Sequence, residues 1–124
     1  MQVEEVDFVS VLTQDIARAK QFYGETLGIH SPNLEAGFPE FETGNVSLYL
    51  VDPTAIGGEF QPHNSHIALR VPDVEAVRAE LEAKGIEFDF GAEPFDTGVC
   101  HMALFKDPDG NQIMLHRRYA PRDS

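Results

Sequence analysis

The chain has little of several features that would each define a class of protein. It contains one cysteine, Cys100, and no tryptophan among 124 residues. A single cysteine excludes an intrachain disulfide and is typical of a reducing compartment. No apolar stretch approaches the length of a membrane span, and the first residues lack the basic and apolar segments of a signal peptide. These features predict a cytoplasmic protein with no membrane partner.

Basic residues are also scarce. The chain has 9 lysines and arginines against 21 aspartates and glutamates, and its formal net charge is −12. This balance disfavours nucleic acid and anionic membranes as partners, because both carry negative charge themselves. It is compatible with a cationic ligand, although solubility alone also explains an acidic surface. The hydrophobic content of 42% is enough for a core in one globular domain over residues 1–124.

Two stretches of the chain, 58 residues apart, follow one pattern. Residues 8–15 and 66–73 are both apolar runs that end at an aspartate suited to cap a helix. Later, Gly44-Asn45 and Gly110-Asn111 each occupy a turn before another apolar strand. The chain is therefore a tandem repeat of a module of about 55 residues, and such a module must pair with a second one to bury its sheet face.

Each module is predicted to have the order βαβββ. Module one spans residues 6–52, a proline- and glycine-containing linker spans 53–64, and module two spans 65–118. In module one we expect strands at 6–13, 30–36, 38–43 and 46–52, with a helix at 15–26. In module two we expect strands at 66–71, 86–90, 99–106 and 112–118, with a helix at 73–84.

Strand alternation predicts which side chains share a face. Val11, Leu48 and Ile113 belong to apolar sets that should pack against the helices. The strand at 99–106 is apolar on both faces, and we place Cys100 on the open face because His101 suits a surface. Cys100 itself fits a small hydrophobe that is buried. The open face then collects a mixed set typical of a small-molecule pocket: Phe8, Ser10, Ser47, Tyr49, His66, Arg70, Cys100, Met102, Met114 and His116.

These landmarks, in this order, resemble the vicinal oxygen chelate superfamily of glyoxalases, bleomycin and fosfomycin resistance proteins and extradiol dioxygenases. Phe22-Tyr23 and Leu27-Gly28-Ile29 resemble its first module, whereas residues 66–71 and 107–111 resemble its second. The resemblance implies an α+β fold in which two βαβββ modules form a curved mixed sheet around a cleft. It also implies a homodimer.

The resemblance implies metal-ligand positions as well, and this sequence departs from them. They fall at Phe8, at His66, at Met114 and at Ser47 or Tyr49. A divalent ion that holds two substrate oxygens needs about three nitrogen or oxygen ligands from the protein. Of these positions, only His66 supplies a good one. We therefore expect Phe8, His66 and Met114 to converge on one cleft that holds no metal cofactor.

Two functions remain open at this point. The first is a binding protein with a degenerate metal site, which takes an aromatic or amphipathic small molecule for sequestration or resistance, with His66 as the polar anchor. Arg70 could neutralise an anionic ligand. The second is a metal-dependent lyase, isomerase or dioxygenase with a rearranged site, in which His66 and His116 hold Ni, Fe, Zn or Mn. His66 is also a candidate catalytic acid–base.

Overall fold

The computed structural model of the chain describes residues 1–89 and 95–120. The chain divides into two compact units. Unit one comprises Met1–His63 with Pro108–Asn111, and unit two comprises Asn64–Asp107 with Gln112–Ser124. Each unit contains a helix and a sheet with both parallel and antiparallel pairs, which confirms the predicted α+β class. No helix within the described residues is long and apolar enough to cross a membrane.

The sheet of unit one has three strands. They are β1 (Phe8–Leu12), β2 (Glu40–Glu42) and β3 (Ser47–Val51), in the order β1-β3-β2. Helix α1 (Ile16–Gln21) begins after Asp15, whose carboxylate accepts a hydrogen bond from the Arg18 amide at 3.1 Å. The helix continues into a π-helical turn at Phe22–Thr26, and the ring of Tyr23 in that turn contacts Phe41 of β2. The helical segment therefore covers one face of the sheet.

The strand predicted at 30–36 is not formed, so unit one has three strands where four were expected. Pro32 has no amide hydrogen to donate to a ladder. The side chain of Asn33 accepts the Glu40 amide at 2.8 Å, which ties this segment to the start of β2 as a turn. Pro39 precedes β2 directly and shortens the strand predicted at 38–43 to three residues.

The sheet of unit two is larger. Its elements are β4 (Ile67–Arg70), α2 (Val74–Ala83), β5 (Phe88–Asp89), β6 (Phe95–Asp96), β7 (Cys100–Lys106) and β8 (Gln112–Arg118). The strands follow the order β4-β8-β7-β5, and β6 also pairs with β7. The short β6 was not predicted. Asp73 caps α2 as expected, by accepting the Ala76 amide at 3.1 Å, and Phe90 of the predicted strand at 86–90 lies outside the described residues.

The turn between β7 and β8 belongs to unit one. The Asp109 carboxylate, whose side chain is 1% exposed, pairs with the Arg18 guanidinium at 2.8 Å. It also accepts hydrogen bonds from the Thr13 hydroxyl at 2.6 Å and from the Gln14 amide at 3.0 Å. Three groups around the start of α1 thus bind one aspartate that is distant in sequence.

Asn111 completes this attachment. Its side chain is fully buried, donates to the Leu12 carbonyl at 2.8 Å and accepts the His63 amide at 3.1 Å. Gly110 precedes it with φ of +87°, a left-handed conformation that glycine adopts without strain. The matching Asn45 of module one is exposed. The two Gly-Asn turns are therefore alike in sequence but differ in what they hold together.

Candidate functional site

Two rows of side chains cross the open face of the unit-one sheet, because residues paired across neighbouring strands point to the same side. The first row is Phe8, Ser47 and Glu42, and the second is Ser10, Tyr49 and Glu40. The opposite face carries Val11, Phe41, Leu48 and Leu50, all of which are buried. This asymmetry arises because every second residue of β1, β2 and β3 that faces the helix is apolar, whereas the open face carries serines, glutamates and Tyr49 as well as Phe8.

An aromatic pair lies at one end of the open face. The rings of Phe8 and Tyr49 meet edge to face, with centroids 4.9 Å apart and planes inclined at 68°. Phe8 is 53% exposed, which is high for a phenylalanine on a strand. The pair therefore exposes apolar ring surface that a ligand could contact. In the core of a protein, the same ring surface would be buried.

A carboxylate stands beside this pair. Glu40 accepts a hydrogen bond from the Ser47 hydroxyl at 2.6 Å. Burial, the negative charge of Glu40 and a hydrogen bond to it together raise the pKa of Tyr49 above its ordinary value. Two hydroxyls thus converge on one carboxylate. Next to Ser47, a depression of about 530 Å³ is lined by Asp7, His30 and Glu42 among other residues.

The open face of unit two has a different character. One row across β4, β8 and β7 is Arg70, His116 and Met102, and the next is Ala68, Met114 and Leu104. Cys100 pairs with Arg118 at the end of this face and is 8% exposed. His66 lies directly before β4 and is exposed. Arginine and histidine side chains thus replace the carboxylates found in unit one.

The predicted pocket residues divide between the two units. Phe8, Ser10, Ser47 and Tyr49 share one face in unit one, and Arg70, Cys100, Met102, Met114 and His116 share one face in unit two. The convergence of Phe8, His66 and Met114 on one cleft stays a prediction, because Phe8 belongs to one unit and the other two residues to the other.

Glu40 and Glu42 were not predicted as site residues from the sequence. A signal was present, since the segment Glu40-Phe41-Glu42 alternates in the same sense as its neighbours. With Phe41 in the core, both carboxylates must lie on the open face. What the sequence alone did not provide was the register that pairs Glu40 with Tyr49.

A second polar cluster lies on the surface of unit two. The Tyr119 hydroxyl donates to Asp96 at 2.9 Å, and the His101 imidazole lies 3.3 Å from the same carboxylate. A backbone hydrogen bond from Gly98 and then the Tyr119 hydroxyl lower the pKa of Asp96, while the bond to Asp96 raises that of Tyr119. About half of each side chain in the Asp96–His101 pair is exposed, so water screens it and it adds little stability.

Comparison with known proteins identifies the family. Residues 5–115 match the Glyoxalase/Bleomycin resistance protein/Dioxygenase superfamily. The chain belongs to this superfamily. Among curated proteins no match occurs. The match covers both modules and confirms the resemblance that the repeated landmarks indicated.

Solved structures resemble the chain over more than 90% of its length. TnmS3, an antibiotic binding protein from Streptomyces sp. CB03234, is 32% identical with a TM-score of 0.75, and the match covers 95% of this chain and 98% of that one. A glyoxalase/bleomycin resistance protein from the same organism is also 32% identical, with a TM-score of 0.71 and coverage of 91% and 100%. The lactoylglutathione lyase of Agrobacterium tumefaciens, at 18% identity and a TM-score of 0.74 with coverage of 93% and 94%, shares the fold.

Two of the metal-ligand positions that the family resemblance implies, Phe8 and Met114, carry no nitrogen or oxygen donor in their side chains. Phe8 contributes a hydrocarbon ring, and Met114 lies in an apolar row between Ala68 and Leu104. Within residues 1–89 and 95–120, no group of three or more histidine, cysteine, aspartate or glutamate side chains could hold a metal ion. His116 has Arg70 as its row neighbour, and that positive charge would oppose a cation there.

Proposed function

We propose that this protein binds a small organic molecule and has lost the metal centre of its superfamily. The observation that carries the proposal is the exposed edge-to-face pair of Phe8 and Tyr49. Phe8 stands at a metal-ligand position of the superfamily pattern, where it replaces a donor atom with ring surface. An aromatic ligand can pack against such a pair, whereas a hydrated metal ion gains nothing from it.

Similarity to a solved structure supports a biological role for this binding. TnmS3, at 32% identity, is an antibiotic binding protein. By this likeness we propose that the ligand is a natural product or a similar metabolite, and that binding sequesters it or confers resistance. A cytoplasmic location suits this role and agrees with the single cysteine. A homodimer is part of the proposal, because β1 and β4 are edge strands among the described residues.

Metal analysis tests the loss of the metal centre. Untagged protein incubated with Ni, Zn, Fe or Mn and then desalted should retain far less than one ion per chain. The double variant Phe8→His with Met114→Glu should gain Ni or Zn binding, while either change alone should gain little, because one added donor leaves the set incomplete. The variant Phe8→Leu with Met114→Leu is the control, since it alters the same positions without adding a donor.

The enzyme alternative predicts a different result. If the unmodified protein retains one ion per chain, and His66→Ala or His116→Ala releases it, then the degenerate-site proposal is wrong. A metal-dependent lyase, isomerase or dioxygenase would then describe the protein better.

A further inference from the structure

Most of the negative charge of the chain is concentrated in unit one. Residues 1–63 and 108–111 contain eleven acidic and two basic side chains, and so carry −9 of the total charge of −12. The two basic residues, Arg18 and Lys20, lie on α1 and pair with Asp109 and Glu35. None of β1, β2 and β3 contains a lysine or arginine. The open face of unit one therefore presents carboxylates with no basic side chain of its own strands to neutralise them.

The open face also places one of these carboxylates next to aromatic rings. Glu40 and Tyr49 are directly paired across β2 and β3, and the Tyr49 ring contacts Phe8. The Ser47 hydroxyl donates to Glu40 and fixes the direction of the carboxylate. A group that bears a positive charge and a ring could therefore meet Glu40 and the aromatic pair at the same time.

We propose that the open face of unit one binds an aromatic organic cation, with its ring against Phe8 and its amine at Glu40. The faces of Phe8 and Tyr49 attract a cation through their π electrons, and the carboxylate of Glu40 adds an ion pair. An anionic ligand would be repelled by Glu40 and Glu42. This inference rests on the proposed function and narrows it to the charge of the ligand.

The adjoining depression gives such a ligand room to extend. It begins at Ser47, which lies in the same row as Phe8, and its lining includes the carboxyl-bearing side chains of Asp7 and Glu42. It is an open depression with a volume of about 530 Å³. A second amine on a larger ligand would find further carboxylates there.

Three probe compounds with one ring system and different charges test the proposal. 1-Naphthylmethylamine is a cation at neutral pH, 1-naphthylmethanol is neutral and 1-naphthoate is an anion. Each is titrated into ¹⁵N-labelled protein at low salt, and the amide shifts of Phe8, Glu40 and Tyr49 are followed by NMR. We expect the amine to bind at least fivefold more tightly than the alcohol, and the naphthoate to bind most weakly.

Two variants locate the charge preference. Glu40→Gln keeps the size of the side chain and removes its charge, so it should reduce the preference for the amine to less than twofold. Glu35→Gln removes one negative charge from the same unit at a side chain that is 90% exposed and pairs with Lys20 off the sheet face. It should leave the preference unchanged. Phe8→Leu should weaken all three compounds, because each uses the ring.

The outcomes separate this inference from the proposed function. Equal binding of the amine and the alcohol, or equal effects of Glu40→Gln and Glu35→Gln, would overturn the inference while the binding function stands. Failure of all three compounds to shift the amides of Phe8 and Tyr49 would also overturn the inference, whereas the proposed function is overturned by retention of one metal ion per chain.

Discussion

The pKa of Tyr49 depends on the carboxylate of Glu40 beside it. This pKa is raised above the ordinary value of 10.0 by burial first, then by the charge of Glu40 and the hydrogen bond to it. The folded state thus holds the phenolic proton more firmly than the unfolded chain does. This contribution to stability is complete below the ordinary pKa and is lost as the pH rises through the folded-state pKa.

We expect Glu40→Gln to lower the pKa of Tyr49, because the charge of Glu40 disappears and a hydrogen bond to a neutral amide oxygen is weaker than one to a carboxylate. The pKa should stay somewhat above the ordinary value, since burial remains. The measurement is an NMR titration of ¹³Cζ-labelled tyrosine between about pH 8 and pH 12. Asp96→Asn is the matched control, because it should lower the pKa of Tyr119 and leave that of Tyr49 unchanged. An unaltered Tyr49 midpoint in Glu40→Gln would contradict the coupling.

At the scale of single residues, the sequence predicted the faces of the strands better than the chemistry between them. Val11 and Leu48 are buried as alternation requires, and Met102 pairs with His116 as the chosen register of residues 99–106 required. The role of Glu40 was not predicted, because a glutamate on a short strand is usually an ordinary solvent-exposed residue. Its partners become evident only when β2 is aligned with β3.

The two Gly-Asn turns have the same sequence, but their asparagine side chains make different hydrogen bonds. Asn111→Ala would leave the Leu12 carbonyl and the His63 amide without the Asn111 side chain. The loss of one intramolecular hydrogen bond costs about 0.5–1.5 kcal/mol, so we expect the loss of these two bonds to lower the free energy of unfolding by about 1–3 kcal/mol. Urea denaturation measures the change.

Asn45→Ala is the matched substitution in module one. Asn45 is exposed, and its side chain accepts one long hydrogen bond of 3.3 Å from Thr43. We expect its effect on the free energy of unfolding to stay within about 0.5 kcal/mol. Equal losses in the two variants would mean that the buried position of Asn111 contributes nothing beyond the turn.

Helices and strands were predicted correctly where the local sequence pattern agreed with the packing of the folded chain. The helix starts at Asp15 and Asp73 were evident, because an aspartate preceded an apolar helical stripe in both modules. The strand predicted at 30–36 failed because the segment is tied down by Asn33 and interrupted by Pro32, and its weak alternation carries less weight than these two residues. The two-residue β6 forms through its pairing with β7, a contact that its own sequence does not specify.

For the whole molecule we predict a homodimer. β1 and β4 each have a strand on one side only among the described residues, and the apolar side chains of Val3 and Val6 are exposed before β1. Exposed edges and apolar patches of this kind are usually covered by a partner. Multi-angle light scattering at micromolar concentration should give twice the chain mass of 13.8 kDa. A mass of 13.8 kDa would count against the dimer.

The repeat made the family recognisable from the sequence, since its landmarks recur at fixed spacing in both modules. The two compact units nevertheless do not coincide with the two modules, because the turn at Pro108–Asn111 was expected in module two and belongs to unit one. No local pattern could have revealed this. The contacts of Asp109 and Asn111 depend on residues that are about a hundred positions away.

The turn at Pro108–Asn111 packs in unit one although it follows β7 of unit two, and this has a consequence for folding during synthesis. The bond from Asn111 to Leu12 spans 99 positions of the chain, so it can form only after the ribosome has synthesised the turn between β7 and β8. The strands and helix of unit one emerge earlier, but their contacts with Asp109 and Asn111 arrive only with the hairpin of β7 and β8. These earlier elements must therefore stay incomplete, with the start of α1 unanchored, until this turn has been synthesised.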